Sequence, residues 1–346
     1  MGLSTPVRTL SVCADDFGAA PSISDGIEQL AQAGALAAVS CLVNGPHWAD
    51  AAQRLRHWPT SVALGLHFNL TEGVPLSEEL RRIWPQFPGL GAVLAAAFMR
   101  RLPLAALACE WRAQWQEFER AVCEAGQRPA YIDGHQHVHH LPGVRDLWLR
   151  TLCAGSGDSE SDLGGGHHTA EASARRGVPG SRAYILASDS SAGCPAQGAV
   201  HRRPEHAAAR LAVRSTANLL GPGWAFKRQV IRHTGGLRLE TELQARGVAH
   251  NRWLLGAYDF RQGDYRALMK AWLAALPADA RSPEGLCGGA LLFCHPGMGA
   301  RPGEPQDAIA QARWREWQYL RSPAFRDDLA EAGVKLVSAR RSSRPD

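Results

Sequence analysis

The chain has 346 residues, 45% of them hydrophobic and 21% charged, with a formal net charge of +5. This length and apolar content are enough to bury a sizeable core, and they predict one main folded domain over 1–346. The weak positive charge comes mostly from Arg and forms no basic run, which argues against nucleic acid as a partner.

The cysteines and the apolar runs indicate a cellular compartment. The eight Cys form no CxxC pair. Several lie inside apolar runs, like Cys13 in LSVCAD and Cys294 in ALLFCH, as expected of small buried hydrophobic residues in a reducing compartment. The N-terminal residues contain no apolar stretch typical of a signal peptide, and no window reaches about 18 apolar residues. We therefore expect a cytoplasmic protein without a transmembrane segment.

Short β-rich runs alternate with helical stretches along the chain. The predicted strands are 9–14, 38–43, 61–69, 130–133, 182–186, 253–255, 290–294 and 335–338. The predicted helices are 22–33, 47–56, 110–126, 144–152, 205–220, 264–275 and 305–331. This alternation predicts an α/β fold whose parallel sheet is covered by helices and is either closed as a barrel or open. The first strand is followed by DDFGAAPS rather than a Gly-rich phosphate loop, which counts against a nucleotide-binding open sheet.

Three stretches depart from the alternation. The Gly- and Ser-rich stretch 154–180 is predicted to be a mobile surface insertion, and 339–346 a disordered tail. The segment 71–103 is Pro-rich and apolar, as expected of a lid or substrate wall at the rim of the fold. Trp84 within it is our candidate for stacking against a sugar.

Two of the predicted strands end in residues that carry chemistry. Asp15 and Asp16 follow the first strand, where two charged carboxylates are costly unless a metal, a proton or water compensates them. The alternative is a solvent-exposed turn bent at Gly18. His67 lies within the apolar GLHFNLT, so it needs a metal or a partner, the alternative being a core His bonded to a carbonyl.

Two further motifs supply imidazoles. Four of the 14 His lie within 135–140, directly after a predicted strand. Geometry allows one or two of them to bind one ion, and Asp133 can orient an imidazole by accepting its second N–H. A solvated histidine-rich loop is the alternative. His295 in CHPG can serve as a proton donor, or the motif can simply end a strand.

Taken together, the four motifs supply a carboxylate and two imidazoles as a facial ligand set that leaves metal positions open. They also supply a second carboxylate and a spare His for general base and acid roles. This inventory favours hydrolysis of an amide or ester by metal-bound water. Catalysis by a Ser nucleophile is less favoured, because no GxSxG elbow is present.

The motifs CADDFG, GLHFNLT, YIDGHQHVH and CHPG, in this order, resemble the YdjC/ChbG-like carbohydrate deacetylase family, which includes HpnK-type enzymes. The stretch AVSCLVNGPHWADA is similar to that family's second strand and helix. The resemblance implies a single (β/α) barrel, a distorted TIM-type barrel like that of NodB-type deacetylases, with loop insertions. It also implies removal of acetyl from an N-acetylated sugar, chitooligosaccharide-like or lipid-linked.

The resemblance also implies roles for individual residues. It makes Asp16, His67 and His135 the ligands of one divalent metal ion, Mg or Zn, with Mn or Co as further options. It makes Asp15 the base and His295 the general acid. Asn44, His137 and His139 match family positions and are expected to bind substrate, and a homodimer is the family-based expectation.

Two other functions fit the same residues. One is a metal-dependent hydrolase of a phosphoester or a cyclic amide, which would need more carboxylates near the His cluster for a two-metal site. The other is a carbohydrate-binding barrel without catalysis, against which the presence of both Asp15 and His295 argues.

Overall fold

The computed structural model describes residues 7–153, 211–222, 225–261, 263–281, 288–304 and 306–337. The strands are β1 (Arg8–Phe17), β2 (Ala38–Cys41), β3 (Ala63–Phe68), β4 (Pro129–Gly134), β5 (Ala212–Val213), β6 (Trp253–Leu255), β7 (Ala290–Cys294) and β8 (Val334–Leu336). The helices are α1 (Pro21–Gln32), α2 (Trp48–Arg54), α3 (Glu78–Ile83), α4 (Leu90–Phe98), α5 (Leu104–Glu124), α6 (Val144–Cys153), α7 (Ala225–Ile231), α8 (Leu237–Ala245), α9 (Tyr265–Ala275), α10 (Ala310–Leu320) and α11 (Pro323–Glu331).

The strands form one parallel sheet in the order β5-β4-β3-β2-β1-β7-β6, and β8 pairs with the start of β1. Isolated parallel bridges, Val213 with His250 and Leu219 with Leu254, link the two ends of the sheet. The sheet is thus curled into a barrel with helices around it, and the predicted (β/α) barrel is confirmed. The carboxyl ends of all the strands meet at one rim, where barrel enzymes build their sites.

The curled sheet separates two layers of buried side chains. Leu10, Val12 and Ala14 of β1 pack in the main core cluster with the surrounding helices, whereas Cys13 belongs to a second cluster. The second cluster is small: Cys13, Ala38, Ala63, Tyr131, Ala212, Leu254, Ala257, Leu291 and Phe293. Because most of these side chains are short, the barrel interior has room for the buried polar groups described below.

Most elements lie where the sequence predicts them, with ends shifted by a few residues. The strands predicted at 253–255 and 290–294 have the observed bounds. One helix is wrong: the described part of 205–220 contains β5 and extended chain, because 212–213 pairs with β4. The helix predicted at 305–331 is two helices, α10 and α11, separated at Pro323.

Several helices of the structure were not predicted from the sequence. Some of the predicted elements lie outside the described residues. The segment 71–103 contains α3 and α4, and the helices α7 and α8 were not predicted. The predicted insertion 154–180, the strand 182–186 and the tail 339–346 lie outside the described residues. Among the cysteines described, Cys13, Cys41 and Cys294 are buried as predicted, whereas Cys109 is half-buried and Cys123 is exposed. No helix in the described ranges is long and apolar enough to cross a membrane.

Candidate metal and catalytic site

Three strand ends bring one carboxylate and two imidazoles together at the rim. Asp16 Oδ1, from β1, lies 3.4 Å from Nε2 of His67 in β3. The same oxygen lies 3.0 Å from Nδ1 of His135, which directly follows β4. The three side chains are buried, and their ligand-type atoms lie within 4.8 Å of one another.

The spacing of these atoms suits a single ion. Atoms that share one ion at a bond length of ~2.1 Å lie about 3.0 Å apart in octahedral and about 3.4 Å apart in tetrahedral geometry. Both observed distances, 3.0 and 3.4 Å, match these values. The other ring nitrogen of His135, Nε2, lies 3.3 Å from Glu72 Oε1. One carboxylate and two imidazoles therefore fit a divalent metal ion by chemistry, and the distances from Asp16 Oδ1 to both imidazoles are compatible with it.

An irregularity interrupts β1 at the two adjacent acids. In a regular strand the side chains of Asp15 and Asp16 would point to opposite faces. The register of β1 against β2 shifts between Ala14 and Phe17, and Asp16 has a φ of 72°. This left-handed conformation is uncommon, although Asp adopts it more readily than most residues, and such strain concentrates at functional sites. Asp16 thus departs from strict strand alternation, and Asp15 lies near enough to His67 to help raise the pKa of that imidazole.

Asp133 fixes the orientation of His67. His67 Nδ1 donates to Asp133 Oδ1 at 2.6 Å, which leaves Nε2 facing Asp16. Burial would raise the pKa of Asp133, but Arg214 and His67 lower that pKa to about 2, so the group is an ionised acceptor. Burial would lower the pKa of His67, but Asp133 and Asp15 outweigh it and raise that pKa to about 10. A carboxylate behind a ligating imidazole is a common device for fixing its tautomer.

Arg313 of α10 holds the other oxygen of Asp16. Its Nη2 donates to Asp16 Oδ2 at 2.7 Å, and its Nε donates to Asp307 Oδ2 at 2.7 Å. Burial would raise the pKa of Asp16, but Arg313 and His135 hold that pKa well below its usual range. The carboxylate is therefore ionised and oriented, with only Oδ1 turned toward the imidazoles.

Arg214, just after β5, forms a second buried ion-pair group. Its Nη1 and Nη2 donate to Asp15 Oδ2 and Oδ1, both at 2.7 Å, and its Nη2 lies 2.6 Å from Asp133 Oδ2. The three side chains are at most 3% exposed. Buried charges are tolerated when paired and hydrogen-bonded in this way. One guanidinium thus fixes Asp15 and the acid behind His67.

The loop after β3 reaches over His135. Glu72 Oε1 lies 3.3 Å from His135 Nε2, and this carboxylate is 59% exposed. Asn69 Oδ1 accepts from the backbone N–H of Thr71 and of Glu72, at 2.9 and 3.2 Å. Burial would lower the pKa of His135, but Asp16 outweighs it and raises that pKa to about 9. Asn69 therefore fixes the loop that places Glu72 beside His135, one of the candidate ligands.

His295 follows β7 on the other side of the site. Its backbone N–H donates to Glu316 Oε2 at 2.5 Å, and its ring meets Phe260 and Phe293 edge-on, with centroids 5.2 and 5.7 Å away. Burial lowers the pKa of His295 to about 4. Its Nδ1 has no hydrogen-bond partner in the part of the chain described. The resting imidazole is therefore neutral, with a nitrogen available for a proton or a substrate.

The sequence model of the YdjC-like protein family matches residues 9–331. The chain belongs to the YdjC-like family. A carbohydrate deacetylase of Mus musculus is 29% identical over 349 residues, and the match covers 97% of this chain and 95% of that protein. A carbohydrate deacetylase of Homo sapiens is 37% identical over 158 residues, 44% of this chain and 47% of that protein. A chitooligosaccharide deacetylase of Escherichia fergusonii is 35% identical over 144 residues, 40% of this chain and 52% of that protein.

The matches with higher identity cover only part of each relative. The YdjC-like chain spans about half the length of most of the curated relatives it matches, the mouse protein being an exception. Among solved structures, one described as a cellobiose-phosphate cleavage protein of Enterococcus faecalis has a TM-score of 0.60 and 17% identity, covering 96% of this chain and 98% of that one. At this identity the likeness shows the fold alone.

The four residues expected to bind substrate differ in their surroundings in this YdjC-like chain. His139 is fully buried, and its Nε2 donates to Arg214 O at 2.9 Å. Its ring has no exposed surface, and substrate binding by His139 stays a prediction. His137 is half-buried, and its Nδ1 has no hydrogen-bond partner among the described residues. Asn44 accepts from Asn69 and donates to backbone carbonyls of the loop at 72–74.

Sequence motifs did not reveal Arg214 or Arg313, and they leave the role of Trp84 open. Trp84 packs partly against the main core at the end of α3, so contact with a sugar remains a prediction. Arg214 was missed because it falls in a stretch interpreted as a helix. The available signal was the short apolar run Leu211–Val213 followed by a polar residue, as at the other strand ends. Arg313 carries no local signal, since it lies in the amphipathic helix α10.

Proposed function

We propose that this YdjC-like chain is a metal-dependent hydrolase that removes the acetyl group from an N-acetylated sugar and releases acetate. The observation that carries this proposal is the spacing of Asp16 Oδ1 to the two imidazoles, 3.4 Å to His67 Nε2 and 3.0 Å to His135 Nδ1. The names of the relatives, carbohydrate deacetylase and chitooligosaccharide deacetylase, support the substrate class. A chitooligosaccharide-like sugar and a lipid-linked sugar are the two candidate substrates.

Asp16, His67 and His135 would hold the ion. A divalent ion bound there would act as a Lewis acid, polarising the acetyl carbonyl and lowering the pKa of water. A set of one oxygen and two nitrogens accepts Mg, Zn, Mn or Co, so availability decides among them. Asp133 and Arg313 keep His67 and Asp16 in the orientation that such binding needs.

Asp15 and His295 would move the protons. Asp15, held by both of its oxygens on Arg214, takes a proton from the attacking water as oxygen bonds to the acetyl carbon. His295 then donates a proton to the sugar nitrogen as the C–N bond breaks, which releases acetate and the free amino sugar. Because burial lowers the pKa of His295 to about 4, the neutral ring must receive that proton first. Asp15, which carries the water's proton at that stage, is the proposed source.

His137 and Asn44 would assist at the rim. The unpartnered Nδ1 of half-buried His137 is suited to a hydroxyl of the substrate. Asn44 would act through the loop that carries Glu72, because its amide donates to the backbone there.

Acetate release from N-acetylated sugars tests the proposal. Purified protein is supplied with Mg²⁺, Zn²⁺, Mn²⁺ or Co²⁺ and screened against mono- to oligomeric and lipid-linked substrates. We expect stoichiometric acetate and free amine with at least one metal, and no product after chelation. Turnover of phosphoesters without acetate would indicate a different hydrolase, and sugar binding without turnover would indicate a binding protein.

A further inference from the structure

A groove of about 520 Å³ lies between the chain that follows β7 and the first turns of α10. Its walls are Met298, Gly299 and Ala300 on one side and Gln311, Trp314 and Arg315 on the other. Trp314 is 38% exposed, and its ring stacks on that of Trp317 with centroids 4.8 Å apart. Trp314 is thus packed on an aromatic neighbour while it also lines the groove.

Residues that line this groove are connected to the candidate site along the chain and through hydrogen bonds. Met298 lies three residues after His295, and the N–H of Gly297 donates to Arg313 O at 3.2 Å. Arg315 Nη2 donates to the carbonyl of Phe260, whose ring packs on His295. The groove therefore lies on the His295 side of the rim, not on the side of the loop with Glu72.

The orientation of the bound sugar is inferred from the proposed function and rests on it. The nitrogen that receives the proton from His295 is bonded to the sugar ring, whereas the acetyl carbon faces the metal ligands. The ring must therefore lie on the His295 side. Further sugar units joined to that ring then extend toward the residues that follow His295 and toward α10.

The chemistry of the groove suits a sugar. The apolar C–H face of a pyranose packs against an indole ring, and nearby amide and guanidinium groups can bond its hydroxyls. Trp314 supplies the ring, and Gln311 and Arg315 supply the polar groups. Gly299 has a φ of 87°, and a Cβ there would lie 4.0 Å from the Trp314 ring. The chain at 299 thus borders the Trp314 ring at van der Waals distance.

We propose that this groove binds a second sugar unit of the substrate, with Trp314 as its stacking platform. The site makes the enzyme prefer oligosaccharides over a single N-acetylated sugar. It is separate from Trp84, which lies in the segment between β3 and α5.

The test compares substrate length in Trp314→Ala, Trp314→Phe and the wild type. We expect Trp314→Ala to lower kcat/KM for the di- and trisaccharide of N-acetylglucosamine three- to tenfold, relative to the monosaccharide, through a higher KM. Trp314→Phe should retain most of the wild-type kcat/KM for these two substrates. Phe226→Ala, which removes an aromatic ring that is 72% exposed on α7, is the matched control and should match the wild type. An equal loss for all lengths, or no loss, overturns the proposal.

If the enzyme deacetylates none of these sugars, the proposed function is refuted. Sugar binding by the groove can then still be tested by a binding measurement. Calorimetric titration of the wild type and Trp314→Ala with the trisaccharide measures the contribution of the groove to affinity. Weaker binding by the variant supports the groove, whereas equal affinity or no binding to the wild type overturns it.

Discussion

Arg313 Nη2 lies 2.7 Å from Asp16 Oδ2, although 297 positions separate the two residues in the chain. The contact joins α10 to the end of β1 and occupies one oxygen of the acid. The other oxygen faces His67 and His135. A helix far along the chain therefore sets how Asp16 is presented to an ion.

Removing this contact should weaken metal binding. Changes in residues that orient metal ligands typically cost 10- to 100-fold in affinity. We expect Arg313→Met to raise the Kd for Zn²⁺ by about that factor, measured by calorimetry, and Arg313→Lys to recover part of it because Lys can still donate to Asp16. Arg321→Met in the exposed residue just after the same helix should leave the Kd unchanged. An unchanged Kd in Arg313→Met would show that the contact is only structural.

The two imidazoles should be needed for the ion itself. His67→Ala and His135→Ala each remove one of three ligand atoms, so bound metal should fall well below one ion per chain by elemental analysis. His57→Ala, which changes an exposed His, is the control. Full metal content in either variant would remove that residue from the ligand set.

Asp15 and His295 should affect turnover without affecting metal content. Acid–base assistance is typically worth about 10²- to 10⁴-fold, so Asp15→Asn and His295→Ala should lose kcat in that range. Metal content and the circular dichroism spectrum should remain those of the wild type, which separates loss of chemistry from loss of fold. Wild-type kcat in both variants would refute the proton-transfer roles.

Glu316 should make stability fall between about pH 4.5 and 7. Burial raises the pKa of Glu316 from 4.5 to about 7, with Tyr258 and the His295 N–H opposing that rise. The folded state then holds a proton that the unfolded state has lost, so the free energy of unfolding decreases as pH rises through this window, by ~3 kcal/mol in total.

Denaturant unfolding at a series of pH values measures this effect. Glu316→Gln imitates the protonated acid, so its stability should decline less steeply across the window than that of the wild type. Glu78→Gln, in a side chain that is 72% exposed, is the control. Parallel curves for Glu316→Gln and the wild type would contradict the raised pKa.

Metal removal should lower thermal stability. An ion that binds only the folded state stabilises it by about 2.7 kcal/mol at 100 times the Kd. Treatment with a chelator should therefore lower the Tm of the wild type, and added Zn²⁺ should restore it. His67→Ala should show little response to either. The same response in wild type and variant would place the ion elsewhere.

The amino-acid sequence by itself determined which strand ends carry chemistry. Apolar runs that contain or directly precede Asp15, His67, His135 and His295 mark buried strands, and in a parallel barrel their carboxyl ends meet at one rim. Asp133 could also be predicted as the partner of an imidazole, and it bonds His67. These features are local, so the order of residues along the chain is enough to reveal them.

Only the tertiary structure decided which residues hold the site in place. Strand alternation alone would place Asp15 and Asp16 on opposite faces, and a register shift with a left-handed Asp16 departs from that pattern. Arg214 lies in a stretch of helical appearance that pairs with β4, because a sheet partner outweighs weak local preference. Arg313 reaches Asp16 across almost the whole chain. Ion pairs between distant residues leave no periodic trace, so the fold alone decides them.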